Sequence, residues 1–482
     1  MSARPAIRSS SPVDGLGRAR LSFAQVLGQS VAAVAPSAVM VTMPVLVIPA
    51  VGNVTWWLFV AAAILMIGVG YSIGKFSTRM VAVSGLYSYT VKGLGAVPGF
   101  AGGWSLLLGY ATAAMASILG AGAYLSALLG RIGLPQNVGA VAALAVVAGA
   151  AALALMVRGV QLSARISLAV EVFAITVASA VLVIAFARTG SDPGPAADTT
   201  DPTDSAVGFA LLLAITAFVG FESAGTVARE SRNPYVAVTN AVRWSPLVLG
   251  VLYVFAAVML QPPAVREGID AIPVVLALDS GGWSSALSIV MELGITASWF
   301  ACIIGSTTAL SRTIFAMGRE GVLPSVFGRA HARFRTPHIA LLATMPVIVA
   351  APVAFYLLDG STRDVLVGLL AVSAHGYVVA YVLLCVSAPV FLHRIGEATR
   401  APWVIGTATA VAMVAVVGWA AATGTRAAGW ATAAYVALML AGAIVLAVGW
   451  RRTPGLRDRI GVYDETVAQD MLAGYQPWQV SR

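Results

Sequence analysis

Three glutamates occupy places where a charge is expensive. Glu171, Glu222 and Glu292 each interrupt an apolar stretch long enough to cross a membrane, and an ionised side chain at mid-bilayer costs about 2.5–3.5 kcal/mol on insertion scales. A carboxyl group kept there faces a cavity, holds a proton, or bonds a neighbouring helix. The chemistry on offer is therefore proton or cation binding. His375, in SAHGYVVAY, is the one histidine deep in an apolar run; its ordinary pKa of about 6.5 suits a proton relay, but a hydrogen-bonded histidine between helices is the favoured reading. His331, His338 and His393 lack metal-ligand spacing, and Cys302 and Cys385 lie in apolar runs. Neither a disulfide framework nor a metal cluster follows from them, and no cofactor or catalytic residue is expected.

Two of the apolar stretches are interrupted. VAAVAPSAVMV at 31–41 carries Pro36 at its centre, which removes a backbone donor and clashes with the preceding turn. AFVGFESAGTVARES at 217–231 sets Glu222 between Gly220 and Gly225, and glycine lets backbone approach a ligand closely.

The elements that must position these residues follow from composition. Of 482 residues, 59% are hydrophobic, another 48 are glycine and only 10% are charged, against roughly 25% charged in soluble domains. A soluble enzyme, a disordered chain and a nucleic-acid reader are excluded. A bilayer core about 30 Å thick needs ~20 apolar residues per helix. Twelve spans result, at 24–51, 55–78, 98–129, 137–157, 164–187, 205–228, 244–262, 284–315, 338–358, 364–390, 402–422 and 429–450. The polar, arginine-bearing N-terminus is not a cleavable signal peptide.

With both termini in the cytoplasm, all but five of the 29 basic residues fall on the inside. The exceptions are Arg131, Arg188, Arg266, Arg363 and Arg426, a bias that supports an inner-membrane, multi-pass topology. The net charge of +9 is thus a matter of orientation. Acids divide almost evenly, nine outside, among them Asp192, Asp198, Asp201 and Asp204, and eight inside.

Interrupted helices in corresponding positions of two halves point to a transporter's midplane site. Spans one and six are five apart, which predicts an inverted repeat of spans one to five and six to ten. The expected fold class is an all-α integral membrane protein with twelve transmembrane helices, a 5+5 inverted repeat and two C-terminal helices. Its organisation is an N-terminal tail at 1–23, a transport domain at 24–452 and a C-terminal tail at 453–482, the domain dividing into repeats at 24–187 and 205–390 and extra helices at 402–450.

The motifs VSGLYSYTVKGLGAVPGFAGGWSLLLGY at 83–110, GFESAGTVARESRNP at 220–234, SRTIFAMGREGVLP at 311–324 and RTPHIA at 335–340 resemble those of bacterial permeases of the amino acid, polyamine and organocation superfamily. The resemblance covers spans one to ten and implies a leucine-transporter-like fold, alternating access and proton-driven transport. It implies a substrate site at the unwound parts of span one (Ala35, Pro36, Ser37) and span six (Gly220, Phe221, Glu222, Ser223), with Glu222 in proton-linked gating and Tyr110 facing the same cavity.

Two departures stand out. Many amino acid carriers of this type have Gly-x-Gly in span one, whereas this chain has Ala-Pro-Ser-Ala, which keeps an amine substrate open. Some proton-coupled relatives place a lysine in span five, and the matching position here is Ala174. Glu171, three residues earlier, shares its helix face, and is expected to supply a protonatable group near a cation-site region between spans one, five and eight, with Ser298 contributing a hydroxyl. The leading expectation is proton-coupled uptake of a small amino acid. The alternatives are an amine or polyamine carrier or an exchanger; a non-transporting sensor and a membrane enzyme lack supporting residues.

Overall fold

The computed structural model describes residues 16, 20–159, 162–189, 204–267, 283–422 and 426–461. Asp192, Asp198 and Asp201 and most of both tails lie outside the described residues. Among the described residues the regular elements are helices, and an isolated bridge pairs Leu21 with Ser231.

Span one consists of α1 (Phe23–Val34) and α2 (Pro36–Val51), and span two is α3 (Thr55–Ser77). The apolar helical stretch Phe23–Ser77 has 55 residues, ~80 Å of helix at 1.5 Å per residue against a core of about 30 Å. It makes two crossings, divided at the 3-10 turn Gly52–Val54. After α4 (Leu86–Leu94), spans three to five are α5 (Ala96–Gly130), α6 (Val138–Val157) and α7 (Leu162–Thr189). Span six joins α8 (Asp204–Thr216) to the 3-10 helix Phe221–Glu230. Spans seven to ten are α9 (Pro234–Glu267), α10 (Trp283–Glu320), α11 (His338–Asp359) and α12 (Thr362–Arg394). The last two spans, α13 (Arg400–Ala422) and α14 (Arg426–Arg452), precede the one-turn α15 (Leu456–Arg459).

All twelve expected spans appear, several longer than their uncharged cores. Span seven starts at Pro234 rather than 244, and span eight runs on to Glu320. The charges just outside the expected ends are accommodated within the helices: Arg243 lies over the Trp244 ring and Arg319 over the Phe315 ring. Helix α4 has no counterpart in the sequence reading, because its nine residues are too short to register as a span.

Packing reflects the two-fold repeat. Span three lies against span ten, and its counterpart, span eight, lies against span five; span two lies against span seven. Span one is central, with α2 buried on nearly every side, as expected of a helix apolar all round. The perimeter is the reverse: Val147 (61%), Leu358 (86%), Leu440 (61%) and Ile444 (65%) are exposed. Apolar side chains turned outward on this scale mark a lipid-facing surface.

Candidate functional site

Span one breaks at one residue. Ala35 adopts the left-handed conformation (φ 54°, ψ 58°), rare for a residue with a Cβ, and Pro36 follows as the first residue of α2, where its missing N–H costs nothing. The helix ladder is otherwise kept: Ala35 donates to the Val31 carbonyl and Val39 to the Ala35 carbonyl, each at 3.0 Å. That leaves two amides at the start of α2. Ser37 N–H donates to Glu171 Oε1 at 2.5 Å and Ala38 N–H to Ser298 Oγ at 3.4 Å. The Ser298 hydroxyl in turn donates to Glu171 Oε1 at 2.9 Å.

Glu171, Ser298 and Ser37 are thereby brought together from spans five, eight and one, all nearly inaccessible. Ala174 does not join them through a polar atom. Its Cβ lies against α10 at Gly294, 2.8 Å from where a Cβ on that glycine would be, so a longer side chain at 174 would run into the neighbouring backbone. The close α7–α10 crossing is a physical reason for the small residue there.

Span six is broken more extensively. After α8, the amides of Ala217, Phe218 and Val219 turn back to carbonyls three residues earlier, Gly220 takes a positive φ of 105°, and ten residues of 3-10 helix follow. Runs longer than three or four such residues are uncommon and mark strained or functional segments. A Cβ at Gly220 would sit 2.7 Å from the Ala33 carbonyl oxygen, so glycine is required by both conformation and contact. The two breaks are laced together by Ser30 Oγ donating to the Phe221 carbonyl at 2.6 Å and Ser223 Oγ to the Gln29 carbonyl at 3.2 Å.

At this junction Glu222 is completely buried. It accepts from Tyr110 Oη at 2.8 Å, Tyr381 Oη at 2.5 Å and the Gly220 amide at 3.0 Å. Tyr377 stands between the two tyrosines, its ring centroid 5.3 Å from that of Tyr110 and 5.9 Å from that of Tyr381. Phe221 completes the group, 6.2 Å from Tyr381. Tyr377 and Tyr381 were missed by the sequence reading. A signal existed: they stand four apart in SAHGYVVAY, hence on one helix face.

The remaining candidates go elsewhere. Glu292 does not reach the breaks; it forms a bidentate pair with Arg131 of the loop after span three, at 2.9 and 2.6 Å. His375 has Nδ1 2.7 Å from the Ala371 carbonyl and Nε2 3.0 Å from Thr432 Oγ1, which ties span ten to span twelve.

A cavity of about 130 Å³ opens on the face that carries the start of span one, with Gln25, Gln29, Glu230, Thr308 and Arg312 among its walls. Glu230 and Arg312 form an ion pair across it at 2.5 Å. The N-terminal segment is strapped to span six beside it, Arg20 and Leu21 amides donating to the Glu230 carbonyl at 2.7 Å each. On the same face, the buried Glu320 accepts from the Tyr87 hydroxyl and from the Gly461 amide at 2.8 Å. Burial foremost, with the adjacent Glu320 charge, pushes the Tyr87 hydroxyl well above the ordinary tyrosine range.

A bundle with an apolar perimeter, two interrupted helices meeting at a buried carboxylate, and a vestibule ending beside that junction is a multi-pass membrane transporter of the leucine-transporter-like fold. The fold is shared with a solved manganese transporter from Eremococcus coleocola, with a TM-score of 0.54 at 12% identity over 92% of this chain and 99% of that one. The amino acid permease family model matches residues 21–449; the chain belongs to that family. It is 27% identical to the branched-chain amino acid permease BcaP of Bacillus subtilis over 71% of this chain and 74% of that protein. It is also 26% identical to the low-affinity putrescine importer PlaP of Escherichia coli strain K12, over 62% of this chain and 66% of that protein. These relatives are carriers and not enzymes, as this chain is.

Proposed function

We propose that the protein is a proton-coupled importer of a small amino acid or related amine, working by alternating access. Substrate binds where spans one and six are broken, against Ala35, Pro36, Ser37 and residues 220–223, and Glu222 links occupancy of that site to movement of span six. The observation that carries this reading is the fully buried Glu222, held at a helix break by two tyrosine hydroxyls and a backbone amide. A carboxylate so placed with only neutral donors must acquire a proton or a cationic partner to be cheaply buried.

Glu171 is the second protonatable group. It bonds the start of α2 and the hydroxyl of span eight, so gain or loss of a proton alters a contact between the moving span one and its support. Both termini are assigned to the cytoplasm of an inner-membrane protein on the distribution of arginine. Rocking of spans one, two, six and seven would widen the vestibule beside Glu230 and Arg312.

The test is uptake into proteoliposomes preloaded with buffer or with unlabelled solute. Accumulation driven by an imposed pH gradient, inside alkaline, is expected and should collapse with a protonophore. Counterflow that ignores the gradient would instead establish exchange without net proton movement.

A further inference from the structure

In transporters with interrupted helices, a half-helix N-terminus presents free amides to an anionic substrate group. Here every such amide at the start of α2 is already engaged. Pro36 has none, Ser37 donates to Glu171 and Ala38 to Ser298, and Val39 is already in the helix ladder. At the other break the Gly220 amide donates to Glu222 Oε2. The chain thus brings its own carboxylates to both positions where a substrate carboxylate would dock, and a third would meet like charge.

What the junction offers is the complement. The hydrogen bonds to Glu222 come from neutral donors, two tyrosine hydroxyls and the Gly220 amide, which supply no countercharge. Around it stand the fully buried rings of Tyr110, Tyr377, Tyr381 and Phe221. The Tyr377 hydroxyl is buried without a hydrogen-bond partner, although buried hydroxyls are almost always satisfied. An ammonium group answers all three features: it supplies the countercharge, it donates to the tyrosine oxygen, and it is attracted to aromatic faces.

The geometry points to an aliphatic amine lacking a carboxylate as the substrate, its ammonium held by Glu222 and the tyrosine cluster, with Glu171 excluding amino acids by occupying the start of α2. This rests on the transport reading above and narrows its substrate.

The test is equilibrium binding to the purified full-length chain, by thermal shift and calorimetry, using pairs that differ only in the carboxylate: isoamylamine against leucine, putrescine against ornithine, ethanolamine against serine. In at least one pair the amine is expected to bind about tenfold or more tightly than its amino acid, and Glu222→Gln should abolish that binding. Glu171→Ala, which frees the Ser37 amide, should shrink the amine preference at least fivefold. Tighter binding of the amino acid in any pair, or no binding by any amine, would overturn the inference even if Glu171→Ala fails to fold, because the unaltered chain decides it. Amine binding without gradient-driven uptake would instead overturn the transport reading alone.

Discussion

Glu171 and Ser37 lie 134 residues apart, and the carboxylate of the first accepts the backbone N–H of the second at 2.5 Å. This contact ties span five to the break in span one, and several consequences can be measured.

Glu171→Gln keeps an oxygen for Ser37 and Ser298 but cannot take up a proton at physiological pH. The variant is expected to fold and to bind substrate while losing most of the response of uptake to an imposed pH gradient. Uptake that stays fully gradient-dependent would remove Glu171 from coupling.

Tyr110→Phe and Tyr381→Phe each delete one donor to Glu222 and keep the ring. Hydrogen bonds to charged groups contribute about 1.5–3 kcal/mol, so each change should lower transport about tenfold or more. Tyr377→Phe removes a hydroxyl without a hydrogen-bond partner; melting temperature should hardly move, while substrate affinity falls. A parallel loss of stability and affinity would mark Tyr377 as packing only.

The Glu230–Arg312 pair crosses the vestibule with both side chains 12% exposed. Arg312→Ala should loosen this closure, so that a thiol introduced by Gln29→Cys reacts several-fold faster with a membrane-impermeant reagent. Exchanging the charges, Glu230→Arg with Arg312→Glu, should restore slow labelling. Cys302 and Cys385 are buried, which keeps the background low.

Glu292 has its side chain 1% exposed and pairs with Arg131. Removing one partner of a buried pair costs about 3–5 kcal/mol, so Glu292→Ala should lower the melting temperature clearly. Replacing both Glu292 and Arg131 by Met should recover most of the loss. Proton dependence of uptake is expected to be unaltered in the double variant.

A Cβ at Gly305 would lie 2.5 Å from the Ala33 nitrogen and 2.7 Å from its Cα. Gly305→Val should therefore push span eight from span one next to the break and abolish uptake, while Gly368→Ala, at a position with open space around it, should be tolerated. Uptake by proteoliposomes of matched protein content measures both.

Much of this molecule was legible before any coordinates. A predominantly apolar run of ~20 residues marks a span, since in the bilayer the backbone can satisfy itself only as a helix, and the twelve such stretches appear as helices. The breaks were legible too, because Pro36 and Gly220 act on the backbone through local sterics. Helix ends were less so: Arg243 and Arg319 lie just beyond the expected ends of spans seven and eight but sit inside longer helices, each over an aromatic ring.

The sequence by itself determined that the chain crosses a membrane twelve times, where two of its helices break, and that three glutamates lie within the spans. Only the tertiary structure decided what distinguishes those glutamates. Glu292 is matched by an arginine, Glu171 seals the start of α2, and Glu222 is surrounded by tyrosines contributed by spans three and ten. The physical reason is that a carboxylate's role depends on which donors reach it within ~3 Å. Apart from the Gly220 amide, those donors come from residues more than a hundred positions away, so periodicity and composition carry no trace of them.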